Sequence, residues 1–209
     1  MALAASQFAA ASVPPAYFEA MFAGNDDPWS FRSRWYEVRK RAMTLASLPR
    51  ARYGNAFEPG CANGELSAAL AARCDRLLIA DGTRRAVDIA RRRVSSLSQV
   101  DVMQAWVPDE WPRDAFDLVV ISELGYFLSP DALEKLIRKV RRSLLPGATV
   151  LACHWRQPID GCALDGDEVQ RRIGTGLGLP NLTRVADADF LLEVWCDDAQ
   201  SVAQWEQIL

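Results

Sequence analysis

Along most of the chain, short apolar runs alternate with segments in which apolar residues recur every three or four positions. Strand-like runs occur at 54–58, 76–81, 100–107, 116–122 and 148–155. The run at 116–122, "FDLVVIS", is apolar almost throughout, as in a strand buried on both faces. The segment 129–145 is typical of a helix capped by Ser129, with Pro130 in its first turn. This alternation predicts a doubly wound α/β fold around a mostly parallel sheet.

Two further helices are predicted before the first strand. They cover 15–24 and 30–48, so that residues 14–48 form an N-terminal helical cap. The Ala- and Ser-rich residues 1–13 are expected to be flexible.

The end of the chain changes the pattern, because the segment 182–196 predicts two consecutive strands joined by a tight turn at 186–189. A short helix or a frayed end is expected after residue 197. Neither a linker nor an internal repeat is visible in the sequence. We therefore expect residues 1–209 to form one domain, with its α/β core at 53–197.

Composition restricts the possible functions. A net charge of −3 argues against a dedicated nucleic-acid binder. Five cysteines without a C-x-x-C pair and a single histidine argue against a metal site and a disulfide framework. No segment has the length and apolarity of a membrane span, and the N-terminus lacks the basic region of a signal peptide. A reducing cytoplasm is the expected compartment.

The turn after the first predicted strand, "FEPGCANG" at 57–64, indicates a ligand. Small residues stand at every second position from Gly60 to Gly64, which differs from the G-x-G-x-x-G spacing of a dinucleotide site and from a phosphate loop. Glu58 precedes the turn, and Asp81 ends the next strand, where acids commonly bind ribose hydroxyls. A ligand with a ribose and a cationic amino-acid end fits both acids, and S-adenosylmethionine is such a ligand.

Four segments resemble class I S-adenosylmethionine-dependent methyltransferases: "FEPGCANG", "IADGT", "FDLVVISELGYFL" and "LLPGATVLACHW". This resemblance covers residues 53–155. Residues 27–40, "DPWSFRSRWYEVRK", together with "ISELGYFL", look like the nodulation protein S group, which N-methylates an amino sugar on a chitooligosaccharide. The resemblance implies a seven-stranded sheet whose last strand is antiparallel, with N-terminal helices covering the cofactor crevice.

The resemblance also implies a set of cofactor-binding residues. Its members are Glu58, Gly60, Cys61, Ala62, Gly64, Asp81, Gly82, Thr83, Ala105, Trp106 and Ser122. The turn from Gly60 to Gly64 would hold the methionine part, and Asp81 the ribose. Thr83 is also placed to cap the following helix. The sequence departs from the family at Pro59 and at Ala105 and Trp106, where many relatives have an acid near the adenine. Trp106 either stacks on the base or packs in the core or rim.

Candidate catalytic residues lie at the ends of the fourth and fifth strands. An amine acceptor must lose a proton before it can attack a methyl group, so a base is useful. Glu123 is expected to orient or attract the amine, and Tyr126 either faces it or packs in the core. His154, the single imidazole, is the candidate base, with a packing role as the alternative.

Acceptor-binding candidates are Trp35, Tyr36, Arg156 and Asp160, in aromatic or polar segments near the expected crevice. Lys40 is expected to be solvated on the same helix face as Tyr36, or else to reach the cofactor carboxylate. Asp165 or Asp167 is expected to cap the next helix or to attract a cationic substrate.

The favoured function is therefore methyl transfer from S-adenosylmethionine to a small polar acceptor, in particular an amine or amino sugar. An O-methyltransferase, a nicotinamide-dependent oxidoreductase and an inactive cofactor-binding module are the alternatives.

Overall fold

The computed structural model describes residues 11–208 and contains a seven-stranded sheet. In chain order the strands are β1 (Tyr53–Pro59), β2 (Cys74–Asp81), β3 (Val100–Gln104), β4 (Phe116–Ser122), β5 (Leu144–Trp155), β6 (Asn181–Ala186) and β7 (Phe190–Cys196). Their spatial order is β3-β2-β1-β4-β5-β7-β6. Strands β1 to β5 pair in parallel, and β7 is antiparallel to both of its neighbours. The predicted doubly wound, mostly parallel sheet is confirmed.

The helices follow the predicted order along the chain. They are α1 (Pro15–Ala23), α2 (Trp35–Ala46), α3 (Glu65–Leu70), α4 (Arg84–Arg93), α5 (Pro130–Ser143), α6 (Gly166–Leu177) and the short α7 (Val202–Trp205). The hydroxyl of Ser129 accepts a hydrogen bond from the Ala132 N–H at 3.2 Å, which confirms the predicted cap of α5. Within residues 11–208, every helix is too short or too polar to cross a bilayer.

The core lies on both faces of the sheet. Val119 and Ile121 of β4 pack with the apolar sides of α5 and α6, whereas Leu118 and Val120 pack on the opposite face. All four side chains are fully buried. Burial on both faces explains why this strand is an unbroken apolar run rather than an alternating one.

Helix α2 begins five residues later than the sequence predicts. The carboxylate of Asp27 accepts hydrogen bonds from the backbone N–H groups of Phe31 (2.7 Å) and Arg32 (3.1 Å). Ser30 has a left-handed φ of 61°. The carboxylate therefore satisfies these N–H groups in a turn, and the helix starts only at Trp35.

The start of the chain contacts the rest of the fold where it is described. The Val13 N–H donates to the Phe127 carbonyl at 2.8 Å, which links this residue to the segment after β4. The expected flexibility of residues 1–13 stays a prediction, and residues 1–10 lie outside the described part of the chain.

The strand order reverses between β1 and β4, and this position creates a crevice at their carboxyl ends. The glycine turn follows β1, and Glu123 follows β4. Helices α1 and α2 contribute Phe18, Tyr36 and Lys40 to the other wall of the same crevice.

Candidate active site

A single cavity of about 880 Å³ occupies this crevice. Twelve of the residues predicted from the sequence line it: Tyr36, Glu58, Gly60, Cys61, Ala62, Asp81, Gly82, Ala105, Trp106, Ser122, Glu123 and Tyr126. Six others lie outside its lining: Trp35, Gly64, Thr83, His154, Arg156 and Asp160. The topology thus brings together the ends of β1, β2 and β4 with the two N-terminal helices.

The glycine turn is fixed to the end of β2 by backbone hydrogen bonds. The N–H groups of Gly60 and Cys61 both donate to the Ala80 carbonyl, at 2.7 and 2.9 Å. Gly60 and Ala62 have φ values of 75° and 48°, and such left-handed residues keep a tight turn free of bulky side chains. The Ala62 N–H donates to the Asp81 carboxylate at 3.1 Å. The turn and the candidate ribose-binding acid therefore form one unit.

Gly64 has a different role from the one that the sequence suggests. Its φ is 79°, and a Cβ at this position would lie 3.2 Å from the Cα of Ala90 in α4. Gly64 therefore permits the close approach of α3 and α4, and its place in the ligand cradle stays a prediction.

Thr83 likewise supports the site from outside the cavity. Its N–H donates to Asp81 at 2.8 Å, and although Thr83 precedes α4, its hydroxyl makes no capping hydrogen bond in the described structure.

Two acids, Glu58 and Asp81, face the cavity beside the glycine turn. Glu58 is 3% exposed, and its Oε2 has no hydrogen-bond partner among residues 11–208. Burial raises the pKa of Glu58 to about 7. Burial also raises the pKa of Asp81, although the backbone N–H groups of Thr83 and Ala62 oppose this shift. An unpaired buried carboxylate oxygen indicates a ligand with a positively charged donor.

Trp106 lies at the rim of the cavity, against the backbone of Gly82. A Cβ on Gly82 would come within 2.2 Å of the Trp106 ring, so only glycine fits there. On its other side, the ring centroid of Trp106 lies 6.2 Å from that of Phe18 in α1. This arrangement supplies two aromatic side chains where the family resemblance places the adenine.

The same cavity is lined by a largely buried group that we call the charged cluster, formed by Glu37, Lys40 and Glu123. Lys40 Nζ lies 2.8 Å from Glu123 Oε1, 3.0 Å from Glu37 Oε2 and 4.8 Å from the centre of the Tyr36 ring. Lys40 is only 6% exposed, so the expectation that it is solvated is wrong. Burial opposes its charge, but Glu123 and Glu37 outweigh this effect and raise the pKa of Lys40.

Glu123 is held in one orientation by three donors. Lys40 donates to its Oε1, while the Tyr126 hydroxyl and the Trp155 N–H (3.2 Å) donate to Oε2. Its backbone has a left-handed φ of 55°, which costs about 1–3 kcal/mol in a residue other than glycine. Such strain is retained where surrounding contacts fix the residue, and it commonly marks a functional position.

His154 is separated from the cavity and fully buried. Its Nε2 accepts the Gly125 N–H at 3.0 Å, and its Nδ1 has no partner in the described part of the chain. Burial lowers the pKa of His154 to about 4. A base must reach the proton that it removes. The geometry therefore does not support His154 as the catalytic base, and its alternative, a packing role, fits the structure.

The remaining acceptor-binding predictions are also not supported by the geometry. The Arg156 guanidinium donates twice to Asp167, at 2.8 and 2.7 Å, and is therefore already paired. Asp160 is exposed outside the cavity lining, and Trp35 is 73% exposed. Asp165 accepts the Glu168 N–H at 2.8 Å, so it caps α6 as one reading of the sequence proposed.

Sequence reasoning missed two features of the site. Glu37 and Lys40 are three apart on α2, a spacing that places them on one face of the helix. The second feature is Asn63, whose Nδ2 donates to Asp27 Oδ1 at 2.8 Å and ties the loop before α2 to the glycine turn. The segments 27–40 and 57–64, which carry the family resemblance, contain these residues. The contacts of Lys40 with Glu123 and of Asn63 with Asp27 join segments that are distant in sequence. Among residues 11–208 there is no cluster of three or more His, Cys, Asp or Glu side chains placed to hold a metal ion.

The sheet order, the acid-led glycine turn and the acid at the end of β2 define the Rossmann-like fold of S-adenosylmethionine-dependent methyltransferases. Residues 21–162 match the model of the Nodulation protein S (NodS) family. The chain therefore belongs to the NodS family, and the resemblance noted in the sequence is confirmed.

Individual relatives show the same similarity. Nodulation protein S of Rhizobium tropici is 33% identical over 124 residues, which cover 58% of this chain and 52% of that protein. The chain thus spans about half the length of this curated relative. The crystal structure of N-methyltransferase NodS from Bradyrhizobium japonicum WM9, in complex with S-adenosyl-L-homocysteine, has a TM-score of 0.75 and 25% identity, covering 87% of this chain and 96% of that one. A Pseudomonas syringae protein provisionally named a methyltransferase has a TM-score of 0.71 and 45% identity, with 78% and 99% coverage.

Proposed function

We propose that this protein transfers a methyl group from S-adenosylmethionine to the amine of a small polar acceptor, with amino sugars as the first class to test. The observation that carries this proposal is the position of the charged cluster, which faces the same cavity as the glycine turn, Glu58 and Asp81. The same cavity therefore contains groups that fit the cofactor and groups that attract a cation.

The residues around the glycine turn fit the chemical groups of the cofactor. Glu58 has a free buried oxygen for the α-ammonium group, and Asp81 is placed for the ribose hydroxyls. Trp106 and Phe18 provide aromatic surface for the adenine. When bound, S-adenosylmethionine supplies a methyl group that is already activated by a positively charged sulfur. The protein's task is then mainly to position the acceptor and stabilise charge.

The charged cluster suits an amine acceptor both when it binds and when it reacts. Two carboxylates and one ammonium group give it a net charge of −1 when all three are ionised. This charge attracts the ammonium form of an acceptor. During transfer the acceptor nitrogen becomes positively charged, and carboxylates already fixed beside it stabilise that charge without rearranging.

A hydroxyl acceptor fits this site less well. An alcohol carries no positive charge, so the net negative charge of the cluster does not attract it as it attracts an ammonium group. The family match also argues against the nicotinamide-dependent alternative.

The test combines binding with turnover. Calorimetry should show that the protein binds S-adenosylhomocysteine and that Asp81→Asn weakens this binding. A methyl-transfer assay should then compare matched acceptors, for example glucosamine with glucose. Transfer to the amine alone is expected. Binding without transfer to any acceptor would support the inactive-module alternative, whereas transfer to both sugars would indicate an O-methyltransferase.

A further inference from the structure

The proposed reaction leaves one group unassigned, because an acceptor that binds as an ammonium ion must release a proton and His154 cannot receive it. We infer that Glu37, on the cap helix α2, accepts this proton, while Glu123 holds the acceptor in place. This inference rests on the proposed function and divides the work between the two carboxylates of the charged cluster.

Glu123 is poorly suited to accept a proton. A carboxylate offers about four lone-pair positions, and three donors from Lys40, Tyr126 and Trp155 already occupy most of them. The remaining position can accept one N–H from the acceptor, which is sufficient to orient it.

Glu37 differs from Glu123 in its hydrogen bonding. It is 8% exposed, lines the same cavity and makes one described contact through its carboxylate, to Lys40 at 3.0 Å. Burial raises the pKa of Glu37, and the charge of Glu123 acts in the same direction. Lys40 and Arg34 oppose this shift, but the net effect is a raised pKa. Glu37 therefore has lone pairs free to accept a proton. Its surroundings favour the protonated form more than those of an ordinary, exposed glutamate do.

Lys40 connects the two carboxylates. Its Nζ lies within hydrogen-bond distance of both, so the two acids are separated by no more than two hydrogen-bond lengths. An acceptor bound to Glu123 therefore lies near Glu37.

Two bonds break and two form in the proposed proton and methyl transfers. One N–H bond of the acceptor ammonium breaks, its proton moves to a Glu37 oxygen, and the electron pair remains on nitrogen. That pair forms the bond to the methyl carbon, and the electrons of the broken carbon–sulfur bond stay on sulfur. The product is an N-methylammonium group beside Glu123, and Glu37 later passes its proton to water at the cavity mouth.

The experiment compares Glu37→Gln, Glu123→Gln and the control Asp189→Asn, which alters a carboxylate of the cavity wall that makes no described contact with Lys40. Glu37→Gln should lower kcat by about 10²–10⁴-fold, with little change in KM for the amine. It should also remove the fall in kcat that the wild type is expected to show at low pH, and Glu37→Asp should restore part of the rate. Glu123→Gln should instead raise KM, and Asp189→Asn should keep the wild-type pH profile.

A second measurement does not depend on turnover. In protein labelled with ¹³C at the glutamate carboxyl carbon, the wild type should contain carboxyls that titrate above the ordinary glutamate range. Glu37→Gln should remove one of these titrations and leave that of Glu58. S-adenosylhomocysteine binding by each variant checks that the fold and cofactor site are retained.

The outcomes separate the two proposals. A wild type that binds S-adenosylhomocysteine but methylates no amine would refute the proposed function, and this inference with it. Normal kcat and an unchanged low-pH limb in Glu37→Gln would refute the role of Glu37 alone. The same conclusion would follow if the limb were lost in Glu123→Gln instead, or if no elevated titration disappeared in Glu37→Gln.

Discussion

The substitution Glu58→Gln tests whether an acid is kept in the cavity at the expense of stability. Glu58 is buried, and one of its oxygens has no partner in the described residues. Burial raises its pKa from 4.5 to about 7 in the folded protein. Glutamine has nearly the same shape but cannot ionise, so a comparison with the wild type isolates the effect of the charge.

The sign of the effect follows from proton binding. Between the two pKa values the folded protein holds a proton on Glu58 that the unfolded chain has released, so the free energy of unfolding falls as the pH rises. A shift from 4.5 to about 7 corresponds to about 3 kcal/mol when fully developed. Glu58→Gln should therefore gain about 3 kcal/mol over the wild type between about pH 4 and about pH 8.

Denaturant unfolding of the ligand-free protein and the variant at several pH values provides the measurement. A cationic ligand should reverse the effect, because pairing with its ammonium group lowers the pKa of Glu58. Binding of S-adenosylhomocysteine near pH 6 should then release a proton, which calorimetry in two buffers of different ionisation enthalpy detects. A constant stability difference between wild type and Glu58→Gln over this pH range would refute the reasoning.

Three further predictions concern residues whose roles the structure changed or added. Gly64→Val should lower the free energy of unfolding by about 1–3 kcal/mol, because a φ of 79° is strained for valine and the new Cβ meets Ala90. Thermal unfolding measures this effect, and the control is Gly178→Val, which is also at positive φ but in open space. His154→Phe should lower the free energy of unfolding by about 1–3 kcal/mol, because the Gly125 N–H is left unpaired, but it should keep kcat. Since the pKa of His154 is lowered to about 4, the wild type should also lose stability as the pH falls from 6.5 towards 4. The variant should lack this pH-dependent loss. A large fall in kcat would restore His154 as the base. Asp27→Ala should weaken S-adenosylhomocysteine binding in calorimetry, because the contact between the cap loop and Asn63 is lost, and unchanged affinity would show that this contact does not support the site.

The sequence predicts the elements of the core well because their signals are local. The continuous apolar run of β4, the Ser129 cap of α5 and the glycine turn after β1 each depend on residues close together in the chain. The start of α2 was predicted too early for the opposite reason. Asp27 competes for backbone N–H groups through its side chain, and this turn resembles the first turn of a helix in sequence.

The meeting of the glycine turn with its two acids could also be predicted, because it is built from two consecutive strand–turn segments. Glu58 and Asp81 each end a strand of a parallel sheet, and the carboxyl ends of adjacent strands meet at one edge. Gly64 was the exception, because its contact with Ala90 arises from helix packing.

The acceptor end was decided only by the tertiary structure. His154 follows the same alternation as other strand residues, and nothing in its local sequence shows that its imidazole is fully buried and bonded to the Gly125 N–H, outside the cavity. Lys40 has the local sequence of a solvated helix residue, yet docking of α2 on the sheet buries it between Glu37 and Glu123. The sequence by itself therefore determined the sheet, the glycine turn and the acids that follow β1 and β2, since these rest on periodicity and chain order. Which charges meet in the cavity depends on contacts between segments more than 80 residues apart, such as that of Lys40 with Glu123, and these form only when the chain folds.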